Sequence, residues 1–103
     1  MIDIDEALRI AMPKNRDDLV PVSAQWIGIG WVVRHETRRY LESRSIFDRA
    51  IGGGSLVLND GRLREYSSRE YWQVAVVKLA SDLGLSNQLE SWVVEQADAL
   101  VER

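Results

Sequence analysis

In the first dozen residues apolar side chains fall at Ile4, Ala7, Leu8 and Ala11, the spacing of one helix face, and the pattern stops at Pro13. Asp3 stands just ahead with Glu6 three residues on, an arrangement that caps a helix N-terminus, so a short amphipathic helix is predicted here. A polar turn follows over residues 14–18. Val20, Val22, Ala24 and Trp26 then alternate with Leu19, Pro21, Ser23 and Gln25, the period of a strand. Pro21 has no N–H to donate, which marks this strand as an edge or as bulged. Gly28 and Gly30 flank Ile29 before a second alternating run. It puts Trp31, Val33, His35 and Thr37 on one side and Val32, Arg34, Glu36 and Arg38 on the other, so the two runs read as a hairpin or a bulged pair.

Tyr40-Leu41-Glu42-Ser43 leaves that strand, and residues 44–51 form a connecting segment with room for a helical turn, ending in Gly52-Gly53-Gly54. A strand over 55–59 follows. Asn59-Asp60-Gly61 then supplies the three residue types that best tolerate positive φ, so a tight hairpin is predicted, with its returning strand over 62–66. Ser67 or Ser68 is placed to cap a long helix striped with Trp72, Ala75, Val76, Leu79, Ala80 and Leu83, and Gly84 sits where that helix ends. Ser86 is placed to cap a second helix striped with Leu89, Trp92, Val93, Gln96, Ala97 and Leu100. A link of only Gly84-Leu85-Ser86 predicts a helical hairpin. The expected architecture is α-β-β-β-β-α-α: an α+β fold with an antiparallel sheet of about four strands, the N-terminal helix and the C-terminal helical hairpin packed on one face. No repeat or linker divides it, so residues 1–103 are expected to form a single domain.

Composition narrows the class without naming a task. With 46% hydrophobic and 28% charged residues the chain can bury a core and is too charged for a membrane span. The start, Met1-Ile2-Asp3-Ile4-Asp5-Glu6, is acidic where a targeting peptide is basic, so a cytoplasmic location is expected, with no membrane partner. Cysteine is absent and His35 is the one histidine, which removes disulfides, thiolate chemistry and any site needing two imidazoles. No cofactor motif and no metal-ligand spacing is present, and none is expected to bind. The net charge of −3 has the wrong sign for a general nucleic-acid binder, and no nucleic-acid partner is expected. Charge is nevertheless uneven. Residues 34–69 hold eight basic and five acidic side chains, whereas residues 70–103 hold two and six.

Several residues invite chemistry. Gly52-Gly53-Gly54-Ser55 suggests a phosphate cradle, but a P-loop needs Gly-Lys-Ser/Thr opening a helix, whereas a strand follows here, so it reads as a strand entry. His35 has Glu36, Asp48 or Asp60 as conceivable orienters and Ser23, Ser43, Ser45 or Ser55 as conceivable nucleophiles. No spacing supports a triad, and its place in an alternating file favours a hydrogen-bonded sheet histidine. No catalytic residue is assigned. Of the four tryptophans, Trp26, Trp31, Trp72 and Trp92, at least three are expected in the core. Arg34, Arg38, Arg39, Arg44, Arg49, Arg62 and Arg64 interleave with Glu36, Glu42, Asp48 and Glu65. This pattern reads either as ion pairing on a solvated face or as an interaction surface.

Gly30-Trp31 opening a strand, then Tyr40-Leu41-Glu42-Ser43, then a glycine-containing break before Leu56-Val57-Leu58 and a turn closing on Gly61, resembles the YrhB-like family of small bacterial immunity proteins over residues 4–67. In that family a Gly-Trp strand is followed by a Tyr-Leu-Glu-Ser/Thr segment and a hairpin with Asp and Gly at its turn. The resemblance implies a non-enzymatic protein that binds and neutralises a cognate toxin. On that reading the charged residues of the resembling segment, Arg34, Glu36, Arg38, Arg39 and Glu42, are the expected contact surface. The acidic end, with Glu90, Glu95, Asp98 and Glu102, competes with it. Two other readings stay open: a chaperone-like or self-associating structural protein, such as a homodimer, and a small hydrolase with a concave polar pocket around His35.

Overall fold

The computed structural model describes residues 2–12, 18–44, 54–66 and 70–101. The chain begins with a helix, α1 (Ile4–Ile10), held at its start by the Asp3 carboxylate, which accepts a hydrogen bond from the Glu6 N–H at 2.8 Å. That is one half of the expected capping box, in which the cap side chain satisfies a first-turn N–H that has no partner within the helix. Two strands follow, β1 (Leu19–Trp26) and β2 (Gly30–Thr37), then a short helix, α2 (Arg38–Ser43). A second hairpin of β3 (Gly54–Leu58) and β4 (Leu63–Tyr66) precedes two helices, α3 (Trp72–Asp82) and α4 (Ser91–Val101). The strands form one antiparallel sheet in the order β1-β2-β3-β4. The expected α+β class with a four-stranded antiparallel sheet is therefore what the chain adopts.

The distribution of the helices corrects the expected single-faced arrangement. Val32, Leu56 and Leu58 pack with Val76, Ala80 and Val93, which belong to α3 and α4. Their immediate neighbours Val33 and Val57 pack instead with Ile2, Ala7 and Ala11, around α1. Successive strand residues point to opposite faces, so the hairpin of helices covers one face and α1 the other. The reason is legible in the burial of β3, where Ser55, Leu56, Val57 and Leu58 are all buried. A strand covered on both sides needs an unbroken apolar run, not an alternating one.

β1 is an edge strand, as Pro21 suggested, and its register slips between Pro21 and Ser23. The extra residue, Val22, is 47% exposed. Because a bulge reverses the alternation beyond it, Val20, opposite Glu36, lies on the α3–α4 face, whereas Ala24, opposite Val33, lies on the α1 face. The single file expected for Val20, Val22, Ala24 and Trp26 is thus broken at Val22.

The β3–β4 turn forms at Asn59-Asp60-Gly61. The Asp60 carboxylate accepts from the Arg62 N–H at 3.0 Å and from Arg62 Nε at 2.6 Å. The backbone bond, with support from the guanidinium, holds the Asp60 carboxyl below its usual range. At the helical end, α3 starts at Trp72, with Tyr71 in the cap position and no side-chain cap, so the long helix does not begin at the serines as expected; Ser67 and Ser68 lie outside the described residues. It ends as Gly84 predicts. The Gly84 N–H donates to the Ser81 carbonyl at 3.1 Å and the Leu85 N–H to the Ala80 carbonyl at 2.7 Å, the paired bonds of a Schellman motif. Ser86 opens a 3-10 turn, Ser86–Gln88, and not the last helix, which begins at Ser91, so the link between the helices is longer than three residues.

The tryptophans form two edge-to-face pairs. Trp72 and Trp92 meet across the helical hairpin with ring centroids 6.1 Å apart, and Trp26 and Trp31 meet on the α1 face at 5.5 Å. Such pairs add about 0.5–1.5 kcal/mol beyond the area they bury. Trp31, Trp72 and Trp92 pack against the two cores, as expected for at least three of the four. Trp31 Nε1 also donates to the Ile2 carbonyl at 3.0 Å, fastening the segment before α1 to the sheet.

Candidate partner-binding surface

The five residues singled out by the sequence fall on two consecutive elements. Arg34 and Glu36 extend along β2 from Val32 on the α3–α4 face. Val32 is 2% exposed, whereas Arg34 is exposed and Glu36 half-buried, so along β2 the helical cover ends between Val32 and Arg34. The Arg34 stem lies across β3, its Cγ 3.8 Å from where a Cβ on Gly54 would sit. Arg38, Arg39 and Glu42 are exposed on α2.

Helix α2 was not expected to start where it does. The strand pattern runs through Arg38, but Thr37 ends it, because the Thr37 hydroxyl accepts from the Tyr40 N–H at 2.9 Å and so caps a new helix. The Arg38 N–H donates to the Asp18 carbonyl at 2.8 Å, tying the start of α2 to the entry of β1. Arg44 closes α2 in the left-handed region, with φ 57°, and its guanidinium carbon sits 5.8 Å from the centroid of the Tyr40 ring. Arg44 belongs to the arginine group seen in the sequence, yet its pairing with Tyr40 had no signal there, since the left-handed turn that makes it normally announces itself with Gly or Asn.

The other arginines are spread over the second hairpin and the segment before it. Arg62 is engaged by Asp60 at the β3–β4 turn, Arg64 is exposed on β4 opposite Leu56, and Arg49 lies outside the described residues. The competing acidic surface is present on α4, where Glu95 and Asp98 are exposed. Glu90 is half-buried just before α4, and Glu102 lies outside the described residues.

His35 lies on the α1 face of β2, opposite Pro21. Cross-strand pairing of Val33 with Ser55, and of Ser55 with Glu65, brings Ser55 and Glu65 to the same face, with Ser55 on the strand between His35 and Glu65. A nucleophile–base–orienter relay needs the histidine between the other two groups. The His35 Nε2 atom is buried and has no hydrogen-bond partner among the described residues, so at that nitrogen the expected hydrogen bond of a sheet histidine is missing. Asp48 and Ser45 lie outside the described residues, as do Gly52 and Gly53 of the glycine run. A depression of about 550 Å³ runs along β4, lined by Leu63, Arg64, Glu65, Tyr66 and Glu70, and does not include His35. Among the described residues no group of three or more potential ligand side chains is placed to hold a metal, and no helix is long and apolar enough to cross a membrane.

Burial lowers the His35 pKa from its ordinary 6.5, against a smaller opposing attraction from Glu65. The unfolded chain then binds the proton more readily than the folded one, so stability present above pH 6.5 is lost as the pH falls from 6.5 through the folded-state value. Urea unfolding followed between neutral and mildly acidic pH should show this decline, and His35→Gln should reduce it in that window. An unchanged slope in the variant would mean that other groups carry it.

No family model, curated protein or solved structure matches this chain.

Proposed function

We propose that the protein is a non-enzymatic binding protein of the immunity type, which neutralises a cognate bacterial toxin by direct association through the surface formed by β2 and α2. The supporting observation is the exposure of Arg34, Arg38, Arg39 and Glu42 on regular elements that are anchored from beneath by the buried Thr37 cap and the bond from Arg38 to Asp18. A backbone already held in strand and helix has little freedom left to lose on association, the charges it carries steer the encounter, and better-buried neighbours set the lifetime of the complex. The self-association reading has less to draw on. Among the described residues the large apolar side chains that are exposed are Ile4, Met12, Val22, Leu63, Tyr71 and Val101, no two of them within three positions of each other in sequence.

The test is co-expression with toxins encoded beside the gene, scored by survival and by affinity of the purified pair. Reversals Arg34→Glu, Arg38→Glu and Arg39→Glu are expected to weaken binding about tenfold in combination, roughly 1.4 kcal/mol. Reversals Glu95→Lys and Asp98→Lys on α4 should stay within about 0.5 kcal/mol, the range of an ordinary surface substitution. The opposite ranking would move the interface to the acidic helices. A protein that binds no neighbouring gene product would overturn the immunity reading.

A further inference from the structure

Arg44 is the only non-glycine residue with positive φ among the described residues, and it ends α2 where glycine is the usual choice. Its backbone does the capping: the Arg44 N–H donates to the Tyr40 carbonyl at 2.7 Å. A side chain is not needed for that bond, and a Cβ in the left-handed region is a cost. The side chain present is a guanidinium over the Tyr40 ring, in an exposed position, two residues beyond Glu42 and in the same short segment as Arg38 and Arg39. An outlier of this kind, kept where the fold would be better served by glycine, points to a use outside folding.

We infer that Arg44, set over Tyr40, is the anchor by which the β2–α2 surface recognises a carboxylate-rich protein surface. Three features fix the chemistry. The segment 34–44 carries four arginines against two glutamates on a chain whose net charge is −3, so it is a local positive site on an acidic molecule. The Tyr40 ring lies 5.8 Å from the guanidinium carbon of an exposed side chain, and a guanidinium has N–H groups enough for bidentate contact with a carboxylate besides that contact. Glu36 and Glu42 interrupt the arginines, so the segment presents no unbroken row of cations for a phosphate backbone to track, whereas single side-chain carboxylates of a protein are met one at a time. Tyrosine and arginine together are also the residue types that dominate binding energy at protein interfaces. The inference deepens the proposed binding role, and its test needs no toxin, so either can fail alone.

The protein is titrated with a short polyglutamate peptide and, separately, with a short single-stranded RNA, with backbone amide shifts and thermal midpoints recorded. The peptide is expected to shift amides within residues 34–44. Arg44→Gly should raise the thermal midpoint while weakening peptide binding about threefold, the scale of an exposed charge pair. Arg44→Lys should also weaken it, since an ammonium lacks the fork. A lower midpoint for Arg44→Gly would make Arg44 a structural residue. Peptide shifts that fall elsewhere, survive Arg44→Gly unchanged or are absent would overturn the inference, as would tighter binding of the RNA.

Discussion

A fragment that ends at Ser67 is expected to aggregate instead of folding. The sheet side of the larger core comprises Tyr66 and the five aliphatic residues Ile27, Ile29, Val32, Leu56 and Leu58, each of the five at most 4% exposed, and the described residues that cover them are Val76, Ala80 and Val93 with Trp72 and Trp92 around them. Re-exposing five such side chains costs on the order of 10 kcal/mol at roughly 1.5–3 kcal/mol each, which is comparable to the whole stability of a small domain. The Ile27 carbonyl would also lose the Glu90 N–H that donates to it at 2.9 Å. Circular dichroism and denaturant unfolding of the fragment decide the matter. A soluble monomer that unfolds cooperatively would show that α1 and the sheet suffice, and that α3 and α4 are an appendage.

The parts of this fold that could be read from the sequence are those whose cause is local. Asp3 with Glu6, Asn59-Asp60-Gly61 and Gly84 each specify a backbone conformation through atoms within a few residues, and each forms where expected. Pro21 signalled an edge or a bulge for the same reason and marks both. What failed depends on contacts between distant residues. Trp31-Val32-Val33 and Leu56-Val57-Leu58 are unbroken apolar runs, the signature of a sheet covered on both faces, whereas the expected arrangement reads the first within an alternating strand and places the helices on one face only. Helix α3 starts at Trp72, the first residue of its apolar stripe, which packs on Trp92 and the core, and no side-chain cap marks that start, so the expected serine cap lies too early in the chain.

The candidate surface divides in the same way. The arginines and glutamates were visible as residue types, but whether Arg34 is covered depends on where α3 and α4 stop along β2, which is a tertiary fact. Thr37 was visible as a strand residue and acts as a helix cap, because its hydroxyl competes for a backbone donor that the strand would leave open. The left-handed Arg44 contradicts its own residue preference, so propensity points away from the feature that singles it out.

Gly28→Ala is expected to be among the most damaging single substitutions outside the apolar core, and comparison with Gly84→Ala shows why. Both glycines have positive φ, 96° and 71°, so both substitutions incur the strain of a Cβ in that region, about 1–2 kcal/mol. They differ in what surrounds them. A Cβ on Gly84 meets nothing within 4 Å, whereas a Cβ on Gly28 falls 1.9 Å from the Gln88 carbonyl oxygen and 3.0 Å from the Glu90 nitrogen, all backbone atoms. Relief requires the β1–β2 turn to withdraw from the link between α3 and α4. That movement pulls apart the bond from the Glu90 N–H to the Ile27 carbonyl, and it unseats Ile27 and Ile29, which are 0% and 1% exposed. The loss for Gly28→Ala should therefore exceed about 4 kcal/mol, beyond the usual range for one substitution, while Gly84→Ala stays near the strain alone. Chemical denaturation of the two variants beside the parent measures both. Equal losses would mean that the turn does not bear on the helical link, and that the sheet and the C-terminal helices are held together by apolar contact without this backbone junction.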